Sequence, residues 1–415
     1  MFTSRGIGFR RLAETHAGSV AGDTLVAVGL AGSLFFSVPS TEARENVALY
    51  LLVTLAPFAV LGPFMGRVFE RFPAAYRGGL VMASGLRAAL AVVMVIWVDS
   101  LVLFPLAFLA LVLSRFHGIA RASVLPGVLE SRRDLISANA QIARVGVVAA
   151  GAVAPAAIGV WLLDSWFALS LAAVVFSWSA GAARRLPSLA HSAGSFTESA
   201  SSPRRSPRVA PRPVRLARFA TAGVRFLNGF LLLLVAFAFR DVNAGVAEFG
   251  ALLAAGGIGY FVAAFVTPVL DRYISEEPMV VAGLAVEAGA AFIAGQVFGL
   301  PAAALLAGAA GFAWGTAKFG FDGLLQATVP FAHRGRAFTN AETFFQFAWV
   351  LGALIPVVPE IPPELGLSLA GIAALVIQVV YVSAVLVPVV AHRRRTHDVE
   401  ESPATAHRGD VLDLM

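Results

Sequence analysis

Two stretches about two hundred residues apart constrain this chain before any single site does. Leu61 to Tyr76, LGPFMGRVFERFPAAY, closes a long apolar run and carries Arg67, Glu70 and Arg71 ahead of a proline. Thr267 to Glu277, TPVLDRYISEE, closes another. Phe69-Glu70-Arg71-Phe72 and Leu270-Asp271-Arg272-Tyr273 match type for type, at an offset of 271 − 70 = 201 residues. An acid–arginine pair at the end of an apolar run, in both halves of a chain, marks a duplicated membrane bundle.

The composition agrees. Of 415 residues 58% are hydrophobic and only 13% charged, about half the charge of a soluble domain. The apolar residues gather in runs of about 20, the length a helix needs to cross the hydrocarbon core. Twelve such runs fall near 16–38, 46–69, 78–98, 101–123, 138–162, 166–183, 219–239, 248–270, 279–298, 302–325, 341–358 and 366–390. The expected fold is an all-α polytopic membrane protein: twelve transmembrane helices in two pseudo-symmetric six-helix bundles, 1–185 and 219–392. Between them, 186–218 is rich in Ser, Pro and Arg and reads as a flexible cytoplasmic linker; 393–415 reads as a disordered cytoplasmic tail. The first run follows Arg5, Arg10 and Arg11 but continues to full span length, so it reads as a span rather than a cleavable signal.

Loop charge sets the orientation. Arg67, Arg71 and Arg77 follow the second run, Arg132 and Arg133 the fourth, Arg184 and Arg185 the sixth, Arg334 and Arg336 the tenth, and Arg393 to Arg395 the last. The alternate loops hold Glu42, Glu45, Asp99, Asp164, Glu360 and Glu364, with Arg44 and Arg240 as exceptions. Both termini are therefore expected in the cytoplasm, in a cell (inner or plasma) membrane. The net charge of +6 is explained by this bias, and no nucleic-acid partner is expected. The expected partners are membrane lipids and a small substrate, with the chain a monomer. There are no cysteines, which removes disulfide and thiolate chemistry. No P-loop or hydrolase motif is present, so neither an enzyme nor a direct ATP-driven pump is expected.

The repeat runs further. Ala120 to Gln141 and Leu325 to Thr343 both read as a span ending near a proline (Pro126, Pro330). Each continues as a basic turn and then Asn-Ala (Asn139, Asn340) opening the next helix. Arg87 and Glu287 fall at nearly matching places, 287 − 87 = 200 residues apart, with opposite charge.

These residues resemble the major facilitator superfamily over essentially the whole chain. Its loop between helices 2 and 3 is of the type Gly-x-x-x-Asp-Arg-x-Gly-Arg-Arg; here Gly66, Glu70 and Arg71 fit, and the terminal basic part is reduced to Arg77. The run Phe116 to Pro126, followed by Ala138-Asn139-Ala140, is similar to the branch of siderophore exporters and macrolide-efflux permeases. The antiporter signature of helix 5 is met in part by Gly146, Gly151, Pro155 and Gly159. Where the helix 4 signature has an arginine, Ser114 stands, with Arg115 one residue late. The resemblance implies a cytoplasmic gate at Gly66, Glu70, Arg71, Asp271 and Arg272, and a helix-5 hinge at Gly151, Pro155 and Gly159.

Charges inside spans are costly, about 2.5–3.5 kcal/mol each on insertion scales, and are candidate functional groups for that reason. Asp23 reads either as a protonatable carboxylate facing a cavity or as a partner for an arginine on a neighbouring helix. Arg87 is deep enough to need a buried partner. Glu287 must be paired, protonated or cavity-facing. Lys318, the one lysine, stands four residues from Asp322 on the same helical face, where the two satisfy each other. Glu342 suits a helix start, Arg144 and Arg225 suit reaching the basic interface, and His117 reads as packed or cavity-lining. Phe344 to Trp349 read as cavity-lining or lipid-facing. The expected activity is proton-driven export of an amphipathic small molecule of drug or siderophore type, with Asp23 and Glu287 as coupling carboxylates and no cofactor beyond the proton gradient. A lipid flippase or uptake carrier on the same fold is the first alternative, and a non-transporting scaffold or sensor the second.

Overall fold

The computed structural model describes residues 6–31, 76–100, 102–129, 135–187, 212–242, 246–270, 276–357 and 361–400. Eleven α-helices make up nearly all of them. They are α1 (Gly6–Ala31), α2 (Tyr76–Ile96), α3 (Leu103–Val124), α4 (Leu135–Trp161), α5 (Ser165–Arg184) and α6 (Arg212–Asp241). The remainder are α7 (Val246–Leu270), α8 (Glu276–Gln296), α9 (Leu300–Thr328), α10 (Phe331–Leu354) and α11 (Pro363–Glu400). Eight of these regions are long and apolar enough to cross a membrane by length and composition; α8 contributes a shorter apolar stretch, Val281–Gln296. The expected run at 46–69, with Gly66, Glu70 and Arg71, lies outside the described residues, as do Asp271 and Arg272.

Several helices outrun their apolar segments, because hydropathy marks the hydrocarbon core while helices continue into the polar interface. The first begins at Gly6 rather than near 16, and its polar turn is held by Glu14 pairing with Arg10 at 3.2 Å and Arg11 at 2.9 Å. The sixth begins at Arg212, so 212–218 is helix, not linker. The basic turn expected after Pro330 is helical from Phe331, which puts Asn340 inside α10 rather than at its start. Arg334 makes that tight junction possible. It folds back and donates to the carbonyls of Gln326 (2.8 Å) and Val329 (2.9 Å), satisfying acceptors at the end of α9. The last helix runs to Glu400, past the boundary expected at 392, since no glycine or proline interrupts 389–400.

Helices α1–α5 pack on one another, as do α6–α11, with narrower contacts between the two groups through α4 with α7 and α9, and α3 with α10. Small residues make the closest approaches within the second group. A Cβ on Gly229 or Gly352 would collide with the backbone carbonyls of Trp349 or Phe226, and one on Gly259 or Gly311 with those of Gly308 or Gly256. Glycine is required there so that α6 meets α10, and α7 meets α9, backbone to backbone.

The two groups meet at one end. Phe9, Leu12, Tyr76 and Ala138 join Val214, Phe321, Leu325 and Phe338 in one buried cluster, and Ala140 and Ala143 pack with Ala263, Ala264 and Phe319. Across the same seam Asn139 donates to Gln326 Oε1 (2.7 Å), Gln326 to the carbonyl of Ala122 (2.9 Å), and the Gly335 amide to the Tyr76 hydroxyl (3.3 Å). This is the basic end, where α1, α2, α4, α6 and α10 start. Toward the opposite end the clusters belong to one group only: Met94, Leu103 and Leu169 in the first, Phe237, Val350 and Val357 in the second. Among the described residues, the molecule is clamped at the basic end and splayed at the other.

Candidate functional site

Three polar arrangements sit along the axis of the bundle. The first lies within α1–α5. Arg87 on α2 is 1% exposed and donates to Asp23 Oδ1 of α1 (2.8 Å), to Ser19 Oγ (2.9 Å) and to the carbonyl of Ala83 (3.2 Å). Its guanidinium carbon lies 4.6 Å from the centre of the Phe176 ring on α5. Ser114 of α3 donates to the other Asp23 oxygen at 2.7 Å. Four helices are thereby tied through one ion pair. Asp23 thus partners an arginine on a neighbouring helix; its side chain keeps 36% of its surface accessible, and it lines neither cavity described below.

The second arrangement is a cavity of about 220 Å³ on the seam, lined from α1, α3, α4, α7, α9 and α10. Lys318 contacts Asp322 one turn further along α9, as the spacing predicts, and reaches Glu342 of α10 at 2.9 Å. Glu342 therefore serves as a second counter-ion for Lys318 rather than as a helix-start residue. Arg115 and Arg121 line the same cavity. Gly146 lets His16 approach: a Cβ there would lie 2.8 Å from His16 Nε2.

The third is a larger cavity of about 530 Å³ between α6, α7, α9 and α10, in the splayed half of the second group. Its walls are apolar (Leu231, Val235, Phe249, Leu252, Leu306), and Arg225 and Asn228 supply the polar groups. Arg225 does not reach the basic interface as its place in the sequence suggested. With α6 starting at Arg212 it stands thirteen residues, roughly 20 Å, into the helix. There it is set between two indoles, 4.7 Å from the centre of Trp314 and 5.6 Å from that of Trp349. Tyr260 and Trp314 line both cavities and form the partition between them.

The remaining candidates are dispersed. Glu287 is 1% exposed within the core of the second group, lines neither cavity, and finds no hydrogen-bond partner among the described residues. His117 is buried on α3 with both ring nitrogens unpartnered among the described residues, packed rather than lining either cavity. Arg144 stacks on Phe265 of α7 across the seam, 4.4 Å from the ring centre. Of the aromatic run on α10, Trp349 lines the outer cavity, Phe345 is core and Phe347 is exposed. Pro155 is within α4, and a Cβ on Gly151 or Gly159 meets nothing within 4 Å among the described residues. Among the described residues the backbone-to-backbone helix contacts are made by Gly229, Gly259, Gly311 and Gly352.

Solved structures share this fold over nearly the whole chain. A bacterial homologue of the iron transporter ferroportin, in an outward-facing state, superposes with a TM-score of 0.66 at 15% identity, over 91% of this chain and 98% of that one. The human organic anion transporter MFSD10 gives 0.64 at 13%, over 90% and 98%. The E. coli fucose:proton symporter FucP gives 0.60 at 14%, over 91% and 98%, and FucP is a Major Facilitator Superfamily transporter. This chain has the major facilitator fold. No family model matches it. Among curated proteins, an uncharacterized protein of Mycobacterium leprae is 28% identical over 395 residues, covering 86% of this chain and 67% of that protein. An uncharacterized protein of Mycobacterium tuberculosis is 38% identical over 143 residues; the match spans 32% of this chain and about a quarter (26%) of that relative. An uncharacterized MFS-type transporter of the same organism is 29% identical over 148 residues, 34% of this chain and 32% of its own. The major facilitator fold and the apolar helices together make this a multi-pass membrane protein.

Proposed function

We propose that the chain is a secondary active transporter that exports an amphipathic small molecule, driven by protons, through alternating access. The observation that carries this reading is the stacking of two cavities on one axis: an apolar one toward the splayed end, a charged one on the seam, with Tyr260 and Trp314 between. A carrier needs a site that can face either side in turn, and among the described residues only the basic end is clamped. On the expected orientation, with both termini cytoplasmic in the cell membrane, that clamp is cytoplasmic and the state is outward-facing. We keep the expected twelve helices in two six-helix halves, in a monomer; the expected run at 46–69 lies outside the described residues.

Coupling is proposed for carboxylates held in ion pairs: Asp322 and Glu342 line the seam cavity, and Asp23 accepts from Ser114, which lines it. Asp23 keeps a third of its side chain accessible while bound to Arg87, and Asp322 and Glu342 share Lys318 beside the partition. Protonating Asp23 or Glu342 loosens an ion pair that joins helices, and protonating Asp322 releases Lys318 from its partner on α9; either can change the relative stability of two conformations. Glu287, the other expected coupling carboxylate, is enclosed in one group and lines neither cavity, so we give it no coupling role. The named substrates of the structural neighbours (iron, organic anions, fucose) differ among themselves, so the substrate is argued from this chain's own cavity.

The test uses inside-out vesicles holding a pH gradient reported by a quenched dye, with amphipathic cations, anions, macrolides and siderophores added in turn. Collapse of the gradient by one class, lost in Asp23→Asn or in Asp322→Asn, is expected. No response to any class in vesicles containing folded protein would overturn proton-coupled export, and a lipid-scrambling assay on the same vesicles then reads the flippase alternative.

A further inference from the structure

We infer that the outer cavity binds an amphipathic organic anion, whose acidic head is held by Arg225 and whose apolar body lies along α6, α7 and α9. The inference rests on the transporter reading in taking this cavity for a substrate site.

Arg225 is a permanent cation at the partition between the cavities. Among the described residues no ion pair or hydrogen bond holds its guanidinium; it is steadied only by the faces of Trp314 and Trp349. Stacking between two indoles fixes the guanidinium plane and leaves its N–H donors free along the edge. The carboxylates nearest in the adjoining cavity, Asp322 and Glu342, are both taken by Lys318. Among the described residues Glu342, itself bound to Lys318, is the carboxylate whose field reaches Arg225, and none contacts it, so a ligand can supply a direct counter-ion. Arginine offers a planar fork that suits a carboxylate, sulfonate or phosphate in bidentate fashion.

The rest of the cavity describes the rest of the ligand. Leu231, Leu232, Val235, Phe249 and Leu252 line it toward the splayed end, and about 530 Å³ holds a drug-sized body. Asn228, one helical turn along from Arg225, donates to the carbonyl of Ala310 at 3.4 Å while its side-chain oxygen is buried without a partner among the described residues. That oxygen accepts from a hydroxyl or amide N–H placed next to the acidic head.

Three probes with one apolar body and different heads test this on the purified full chain: 6-phenylhexanoate, 6-phenylhexanol and 6-phenylhexylamine, with affinity read by thermophoresis. The carboxylate is expected to bind at least tenfold more tightly than the alcohol, and the amine more weakly still. Arg225→Gln removes that preference while leaving the alcohol's affinity within about threefold, which shows that the cavity remains folded, and Arg225→Lys restores part of it. Equal affinity for the three heads, no binding of the carboxylate, or an unchanged carboxylate affinity in Arg225→Gln overturns the inference. Competition by dihexanoylphosphatidylglycerol identifies a lipid headgroup as the anion's source; its failure to compete identifies a free amphiphile. Proteoliposome uptake of the three probes separates this inference from the reading it rests on. Selective binding without flux leaves the anion site standing and removes transport, whereas flux without head-group preference does the reverse.

Discussion

Arg87 and Asp23 form a 2.8 Å ion pair between α2 and α1, although 64 residues separate them in the chain. Arg87 is enclosed on all sides and Asp23 is not, so the two ends of the pair are not equivalent. Ser114 completes the Asp23 carboxylate from α3, at the position where the family resemblance has an arginine.

Removing one partner of a buried pair costs more than the pair is worth, because a charge is left behind. Arg87→Ala leaves Asp23 with Ser114 and partial access to water; Asp23→Ala leaves Arg87 buried with only Ser19 and a carbonyl. Asp23→Ala is therefore the more damaging, by about 1–3 kcal/mol after allowance for the partial exposure of Asp23. Asp23→Asn is milder, since its carbonyl oxygen still accepts from Arg87. Thermal unfolding of the detergent-purified variants ranks them.

The glycines divide by what lies opposite them. Gly352→Ala sets a methyl against the carbonyl of Phe226, a backbone atom with nowhere to move, and forces α6 from α10 at a cost of about 1–3 kcal/mol. Gly151→Ala adds a methyl where nothing lies within 4 Å among the described residues; it is neutral or stabilising by up to about 1 kcal/mol through helix propensity. Melting temperatures of the two variants, measured side by side, check the contrast.

That contrast also shows what the sequence makes legible. Long apolar runs and their basic flanks locate the helices because a membrane imposes both. The i,i+4 spacing of Lys318 and Asp322 suffices to pair them, since both lie on one helix. Helix starts were misplaced by up to ten residues at α1 and α10, where Arg10, Arg11, Glu14 and Arg334 extend helices beyond their apolar cores. Which glycines face a neighbouring backbone, and which cation lands between Trp314 and Trp349, depends on helix rotation and register, and no local pattern encodes these. Gln326 carries buried hydrogen bonds to other helices yet has no distinguishing sequence pattern, for the same reason.

Glu287 sits in the core of the second group and adjoins neither cavity. Glu287→Gln keeps its volume and removes its ionisable group. The expected result is transport within twofold of wild type and a melting temperature unchanged or raised, since an uncharged side chain carries a smaller burial cost (about 1–3 kcal/mol for an unpaired amide or hydroxyl, more for a carboxylate). Loss of pH-dependent flux in this variant would return Glu287 to the coupling machinery.

The Gln326 side chain ties Asn139 of α4 and the Ala122 carbonyl to α9 at the clamped end. Gln326→Ala removes both bonds, about 1–2 kcal/mol in total, which moves the balance between conformations five- to thirtyfold toward opening at the basic end. The chain has no cysteine, so Ala143→Cys, lining the seam cavity, becomes a unique reporter. Its rate of maleimide labelling from the basic side is expected to rise by that factor when Gln326→Ala is added. An unchanged rate would show that the clamp is held by the apolar cluster alone.

Lys318 joins Asp322 on its own helix to Glu342 on α10, so it holds two carboxylates together as well as neutralising one. Lys318→Met leaves both facing each other in a small cavity with no lysine between them, and is expected to abolish transport and lower the melting temperature. If charge balance is what matters, Lys318→Met combined with Asp322→Asn restores the local charge and recovers the melting temperature. Transport stays lost, because no proton can then exchange with a lysine-bridged pair. Recovery of stability without flux separates the structural role of the three residues from their coupling role. Recovery of pH-gradient-driven flux in the double variant would remove Lys318 and Asp322 from the coupling path and leave it to Asp23.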